Sequence, residues 1–113
     1  MESKEDLLKW YDEEYCLQIV KRYSYALKFV KNQTEEMCLA AVKQNGYTLQ
    51  FVHNPTEKIY LEAVKQNGLA LQFIKNPTEE ICLAALNQNI ESIKYIDIER
   101  FPKVYEKYLF MIK

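Results

Sequence analysis

Apolar residues fall in short clusters along the chain, separated by polar turns at regular intervals. In residues 54–75 (NPTEKIYLEAVKQNGLALQFIK), Tyr60, Leu61 and Val64 stand at i, i+1 and i+4, widened by Ile59 and Ala63. That spacing is one face of a helix with 3.6 residues per turn. A second cluster, Leu71, Phe73 and Ile74, follows Asn67-Gly68. The pattern predicts a first helix of about ten residues, a stop at Asn-Gly, and a shorter helix over residues 69–75. At the entry, N-P-T-E places Asn54 or Asn76 as an N-cap with Pro at the first helical position. Asp12 stands where Thr34, Thr56 and Thr78 recur, so the cap can equally lie two residues later. Gly46 and Gly68 are expected to end the first helix in the left-handed conformation.

This unit recurs without a gap at a period of 22. Residues 10–31, 32–53, 54–75 and 76–97 share Glu13, Glu35, Glu57 and Glu79 at the fourth position and Leu17, Leu39, Leu61 and Leu83 at the eighth. The twentieth position is Phe29, Phe51, Phe73 and Tyr95. Neither helix can hide so broad an apolar stripe within its own hairpin, so each unit must lean on neighbours at both ends, as in a solenoid. The expected fold is all-α: an αα-hairpin repeat solenoid of four 22-residue units forming a single domain over residues 1–113. At about 8–10 Å per layer, the four units make a rod about 35–45 Å long.

Both ends are expected to be capped. Running the register backwards puts Leu7, Leu8 and Lys9 on the Phe-Val-Lys positions, so residues 3–9 read as the second helix of a truncated unit, capped by Ser3 and Asp6. Residues 1–9 are thus assigned as the N-terminal cap. Residues 98–113 leave the repeat but read as a capping helix, with Pro102 near its start and Val104, Tyr105, Tyr108, Leu109 and Ile112 on one side.

NPTEEICLAA and AVKQNG followed by LQF resemble the tandem units of an uncharacterised helical repeat family found in mimivirus-like giant viruses and some protists. The resemblance covers about residues 10–97. It implies a stacked helical repeat and a viral source, and carries no activity or site residue with it.

Composition narrows the function classes. The chain is 49% hydrophobic and 27% charged, as folded soluble proteins are, and 15 basic against 16 acidic residues leave a net charge of −1. No global field draws it to nucleic acid or an anionic membrane. No apolar run reaches the roughly 18 residues of a membrane span, and MESKEDLLKW lacks a signal peptide's regions, which predicts an intracellular, cytoplasmic protein, in the host cytoplasm if viral.

Candidate chemistry is sparse. Cys16, Cys38 and Cys82 share one repeat position, too far apart for a disulfide or a single zinc ion, and read as buried core thiols. His53 falls on a turn. The glutamate column suits the positive ends of helix dipoles. There is no phosphate loop or activated nucleophile, so neither enzymatic activity nor a cofactor is expected.

What remains is surface. Lys21, Lys43 and Lys65 form one row and Gln44, Gln66 and Gln88 another, both expected to face outward. Lys28, Gln50, Gln72 and Lys94 form a third, beside an apolar row of Tyr25, Tyr47 and Leu69 interrupted by Glu91. The last two rows are the candidate partner-binding surface, since solenoids bind through extended faces and aromatic residues anchor interfaces. The leading expectation is a scaffold that binds a protein partner. Self-association into a structural assembly is the alternative, with single-stranded RNA binding by the Lys and Gln rows a more distant one.

Overall fold

A computed structural model describes residues 3–113, and every regular element in that span is helical. Helix α1 (Lys4–Leu8) runs into a 3₁₀ helix, η1 (Lys9–Tyr11). Four α-helices then alternate with 3₁₀ helices: α2 (Glu13–Arg22), η2 (Ser24–Phe29), α3 (Glu35–Gln44), η3 (Gly46–Phe51), α4 (Glu57–Gln66), η4 (Gly68–Phe73), α5 (Glu79–Gln88) and η5 (Ile90–Tyr95). Helix α6 (Pro102–Met111) closes the series. Each of α3, α4 and α5 packs on the α-helix before it and on the 3₁₀ helix of the preceding pair, so the α-helices form one layer and the 3₁₀ helices the other. The stack measures 56 × 24 × 21 Å. Its radius of gyration of 16.4 Å exceeds the about 13 Å of a compact domain of this length.

The four long repeat helices start at the later of the two cap positions. Asp12, Thr34, Thr56 and Thr78 accept hydrogen bonds from the backbone N–H groups of Tyr15, Met37, Ile59 and Ile81 at 3.0, 3.2, 3.3 and 3.2 Å. Asn54 and Asn76 therefore lie outside the helices, and Pro55 and Pro77 precede the cap instead of opening the first turn. A hydroxyl three residues before the N–H it accepts reaches it directly, and the extended backbone at the cap aims it there.

The second element of each pair is a 3₁₀ helix, and the side chains explain why. Ser24, Leu27 and Val30 are buried three residues apart, as are Gly68, Leu71 and Ile74. With 3.0 residues per turn, positions i, i+3 and i+6 share one face, which an α-helix would rotate out of line. The Asn45, Asn67 and Asn89 side chains start these helices by accepting from the N–H two residues on, at 3.0, 3.0 and 2.9 Å.

Gly46 and Gly68 do not end the α-helices in a left-handed turn, and neither glycine has a positive φ. Their requirement is space. A β-carbon on Gly46 would lie 2.5 Å from the carbonyl oxygen of Ala63 in the next α-helix, and Gly68 is crowded in the same way by Ala85. The neighbouring backbone occupies the volume a side chain would need.

The core runs continuously through both layers, including Val20, Met37, Val42, Ile59, Val64, Ile81 and Leu86. Ile59, Ala63 and Val64 are the buried centre of α4, while Tyr60 and Leu61 are half-buried at its margin. The ends differ from the expected caps. Ser3 and Asp6 cap the first helix as expected, in a reciprocal capping box, but residues 4–8 are α-helical and Leu7 and Leu8 remain about half exposed. On α6, Val104 is fully buried and Tyr108 half-buried, whereas Tyr105, Leu109 and Ile112 face out.

Gly46→Ala separates the two accounts of the glycines. In a helix with negative φ, alanine ordinarily stabilises by about 0.4–1 kcal/mol through the unfolded chain. Here the added methyl must force α4 away, and a net loss of about 1–3 kcal/mol is expected in urea unfolding.

Candidate functional site

The two candidate rows lie on the 3₁₀ layer, at the second and fifth residues of each short helix. Tyr25 and Tyr47 do more than face outward. The Tyr25 ring meets Phe51 edge-on with centroids 5.9 Å apart, and Tyr47 meets Phe73 at 5.8 Å. Each tyrosine thus covers the phenylalanine of the next pair. Tyr25 keeps 49% of its surface exposed, while Tyr47 and Leu69 are half-buried. The row is an apolar seam with exposed edges.

Lys28, Gln50, Gln72 and Lys94 are all exposed. Gln50 donates to the carbonyl of Tyr47 at 3.0 Å and Gln72 to that of Leu69 at 2.9 Å. Lys28 and Lys94 lie over the rings of Phe29 and Tyr95 at 5.0 and 5.4 Å. The structure brings amides, cations and aromatic edges together along one side of the stack.

The Gln44, Gln66 and Gln88 row is exposed, as expected, but it is also structural. Gln44 Oε1 accepts the Ser24 N–H at 2.8 Å while its Nε2 donates to the Lys21 carbonyl at 2.9 Å. Gln66 and Gln88 accept the N–H groups of Gly46 and Gly68 in the same way. Each glutamine at the end of one α-helix satisfies the first N–H of the preceding 3₁₀ helix, which has no acceptor in its own strand of chain. Lys21, Lys43 and Lys65 remain exposed.

The glutamate column is also partly tied down. Glu35 accepts from the hydroxyl of Thr56, and Glu57 from that of Thr78, both at 3.3 Å. These bonds link the starts of successive α-helices and accompany the expected first-turn placement.

A polar cleft of about 440 Å³ opens between the starts of α3 and α4, beside Lys31, Gln33, Cys38 and His53. Gln33 organises it. Its Nε2 donates to the carbonyls of Phe51 at 2.7 Å and Leu27 at 3.3 Å, and its Oε1 accepts the His53 N–H at 2.9 Å. Sequence reasoning passed over Gln33, although its replacement of proline in the N-P-T-E pattern marks it.

Cys16, Cys38 and Cys82 are buried, unpaired thiols in the α layer. Burial pushes the Cys38 and Cys82 thiols up to about 11, with the Glu35 carboxylate adding to the shift at Cys38. Cys16 is also raised by burial, and by Asp12. Among the described residues, no group of three or more His, Cys, Asp or Glu side chains is placed to hold a metal ion. No helix among the described residues is long and apolar enough to cross a membrane.

One family matches the chain twice in tandem, over residues 12–55 and 56–101: a domain of unknown function (DUF4116), to which the chain belongs. Each match spans two of the 22-residue periods. No curated protein and no solved structure matches the chain.

The thiols give a direct test of the packed α layer. At pH 8, iodoacetamide should leave Cys38 and Cys82 unmodified in the folded protein and alkylate them on unfolding in urea. An unfolded chain releases these protons near the ordinary thiol value of 9.0, whereas the folded chain holds them to about 11. Their contribution is therefore fully present below pH 9, and stability should fall as pH rises from 9 to 11, a slope that Cys38→Ala with Cys82→Ala should flatten.

Proposed function

We propose that the chain is a non-catalytic scaffold that binds a protein partner along its 3₁₀ layer, through Tyr25, Tyr47 and Leu69 and the adjacent Lys28, Gln50, Gln72 and Lys94. The observation that carries this reading is the row of Tyr25, Tyr47 and Leu69 lying beside the exposed Lys28, Gln50, Gln72 and Lys94 on one layer of a 56 Å stack. Such a face presents rigid apolar anchors flanked by polar groups, the combination that concentrates binding energy at interfaces. An extended partner segment lying along the layer would meet an apolar residue beside a polar one at each of the first three steps, and would gain affinity from several modest contacts in register.

The resemblance of the AVKQNG units to those of giant viruses supports a more specific form of this reading. In that form the chain is a viral protein acting in the host cytoplasm, and the partner is a host protein. RNA binding is a weaker reading, because the Gln44, Gln66 and Gln88 row is occupied with closing the stack and the net charge is −1.

Affinity purification from host cells, followed by mass spectrometry, should recover one discrete partner. Tyr25→Ala with Tyr47→Ala should then weaken its capture about tenfold or more, with circular dichroism unchanged. The triple change Lys28→Ala, Gln50→Ala and Gln72→Ala, which removes no buried group, should weaken capture as well. Full capture by both variants would remove this face from consideration.

A further inference from the structure

We infer that Asn45 and Asn67 are latent modification sites: the glutamine of the next unit shields each from deamidation, and each is converted to aspartate or isoaspartate when its junction opens. The chemistry needs only the chain and water. The Gly46 nitrogen gives up its proton to solvent base and attacks Cγ of Asn45, closing a five-membered succinimide as ammonia leaves. Water then opens the ring at either carbonyl, which gives aspartate or isoaspartate. A following glycine favours the attack because no side chain hinders the nitrogen. Asn45-Gly46 and Asn67-Gly68 have this pairing, whereas Asn89 precedes Ile90, whose branched side chain crowds the nitrogen.

The fold holds the reaction back in several ways. Ring closure requires the glycine nitrogen on the same side of the Cα–C bond as Cβ, but a ψ of 109° at both Asn45 and Asn67 turns it away. The proton that must leave is already engaged, because Gly46 donates to Gln66 Oε1 and Gly68 to Gln88 Oε1. Both glycines are buried, which keeps base from that proton. The asparagine side chains are fixed as well, with Oδ1 of Asn45 accepting from the Tyr47 N–H and that of Asn67 from the Leu69 N–H, both at 3.0 Å. Of these restraints, the glutamine bond is the one supplied by another unit. Separating α4 from η3, or α5 from η4, therefore removes the bond and the cover together.

The product does not fit back into the same packing. Isoaspartate carries the main chain through its side-chain carbon and so adds a backbone atom just before Gly46. There a β-carbon would already lie 2.5 Å from the Ala63 carbonyl oxygen, and Gly68 meets the Ala85 carbonyl in the same way. A junction that opens long enough to react thus stays loosened. At the first of these sites Tyr47, the residue after Gly46, loses its fixed place against Phe73. The inference rests on the junctions and not on the partner-binding reading.

Peptide mapping by mass spectrometry tests it on the full chain held in mildly alkaline buffer. The folded wild type should lose both amides about tenfold or more slowly than the urea-unfolded chain, with Asn89 as the unreactive control. Gln66→Ala should speed loss at Asn45 about tenfold and leave Asn67 at the wild-type rate, whereas Gln88→Ala should do the reverse. Gln66→Glu, which keeps an acceptor for the Gly46 N–H, should keep Asn45 protected. In the wild type, in urea below the unfolding midpoint, loss at each asparagine should rise in proportion to hydrogen exchange of the next glycine's N–H. That comparison stands even where a variant fails to fold. The inference is overturned by loss at Asn45 as fast in the folded chain as in the unfolded one, or by amide loss that does not follow exchange of the Gly46 N–H. It is equally overturned by a Gln66→Ala protein that keeps its helical circular dichroism and speeds both sites alike, or neither.

Discussion

The 3₁₀ helices η2, η3 and η4 each open with a backbone N–H that finds no acceptor in its own unit, and a glutamine from the next unit supplies the acceptor. That single bond sets how closely successive units approach. For Gln66 to reach the Gly46 N–H, α4 must come so near η3 that the Ala63 carbonyl fills the space a β-carbon would take. Glycine at the start of the 3₁₀ helix, alanine on the facing turn and glutamine at the helix end are therefore one requirement expressed at three positions. At the first junction Ser24 stands for glycine, and the bond to Gln44 is 2.8 Å.

Once that distance is fixed, the rest of the layer order follows. Close approach of the backbones brings Tyr25 over Phe51 and Tyr47 over Phe73, which continues the apolar contact across the 3₁₀ face. On the other face it brings Thr56 to Glu35 and Thr78 to Glu57. The core between the layers includes the fully buried Ala41, Ala63 and Ala85, and the backbones of Ala63 and Ala85 press on Gly46 and Gly68. Three cysteines serve as apolar filling there, and their raised ionisation follows from the same exclusion of water. What the repeat does not consume is the exposed edge of the seam and the polar row beside it.

How much of this was legible in the sequence depends on the range of the interaction. The all-helical repeat at a period of 22 could be read directly, because every unit needs the same apolar stripe to pack on a copy of itself. The Thr cap was one of two readings left open by the offset of Asp12, and only the hydrogen bond to the N–H three residues on distinguishes it. The three-residue spacing of Leu27 and Val30, or Leu71 and Ile74, also stood in the sequence as evidence for a 3₁₀ helix. It was masked by the expectation that so short an apolar cluster continues the α-helical period.

The sequence by itself determined the all-helical repeat and the burial of the cysteines, since these rest on local periodicity and on the plain preference of apolar groups for the interior. Tertiary structure alone decided what the polar repeat positions do. The strings for Gln44, Gln66 and Gln88 and for Gln50 and Gln72 look equally solvent-facing, yet the first three bond to a backbone about twenty residues earlier and the other two to carbonyls three residues away. Gly46 and Gly68 read as helix stops and are in fact points of contact. In each case the deciding partner belongs to a neighbouring unit, and one-dimensional periodicity carries no information about the distance between two helices.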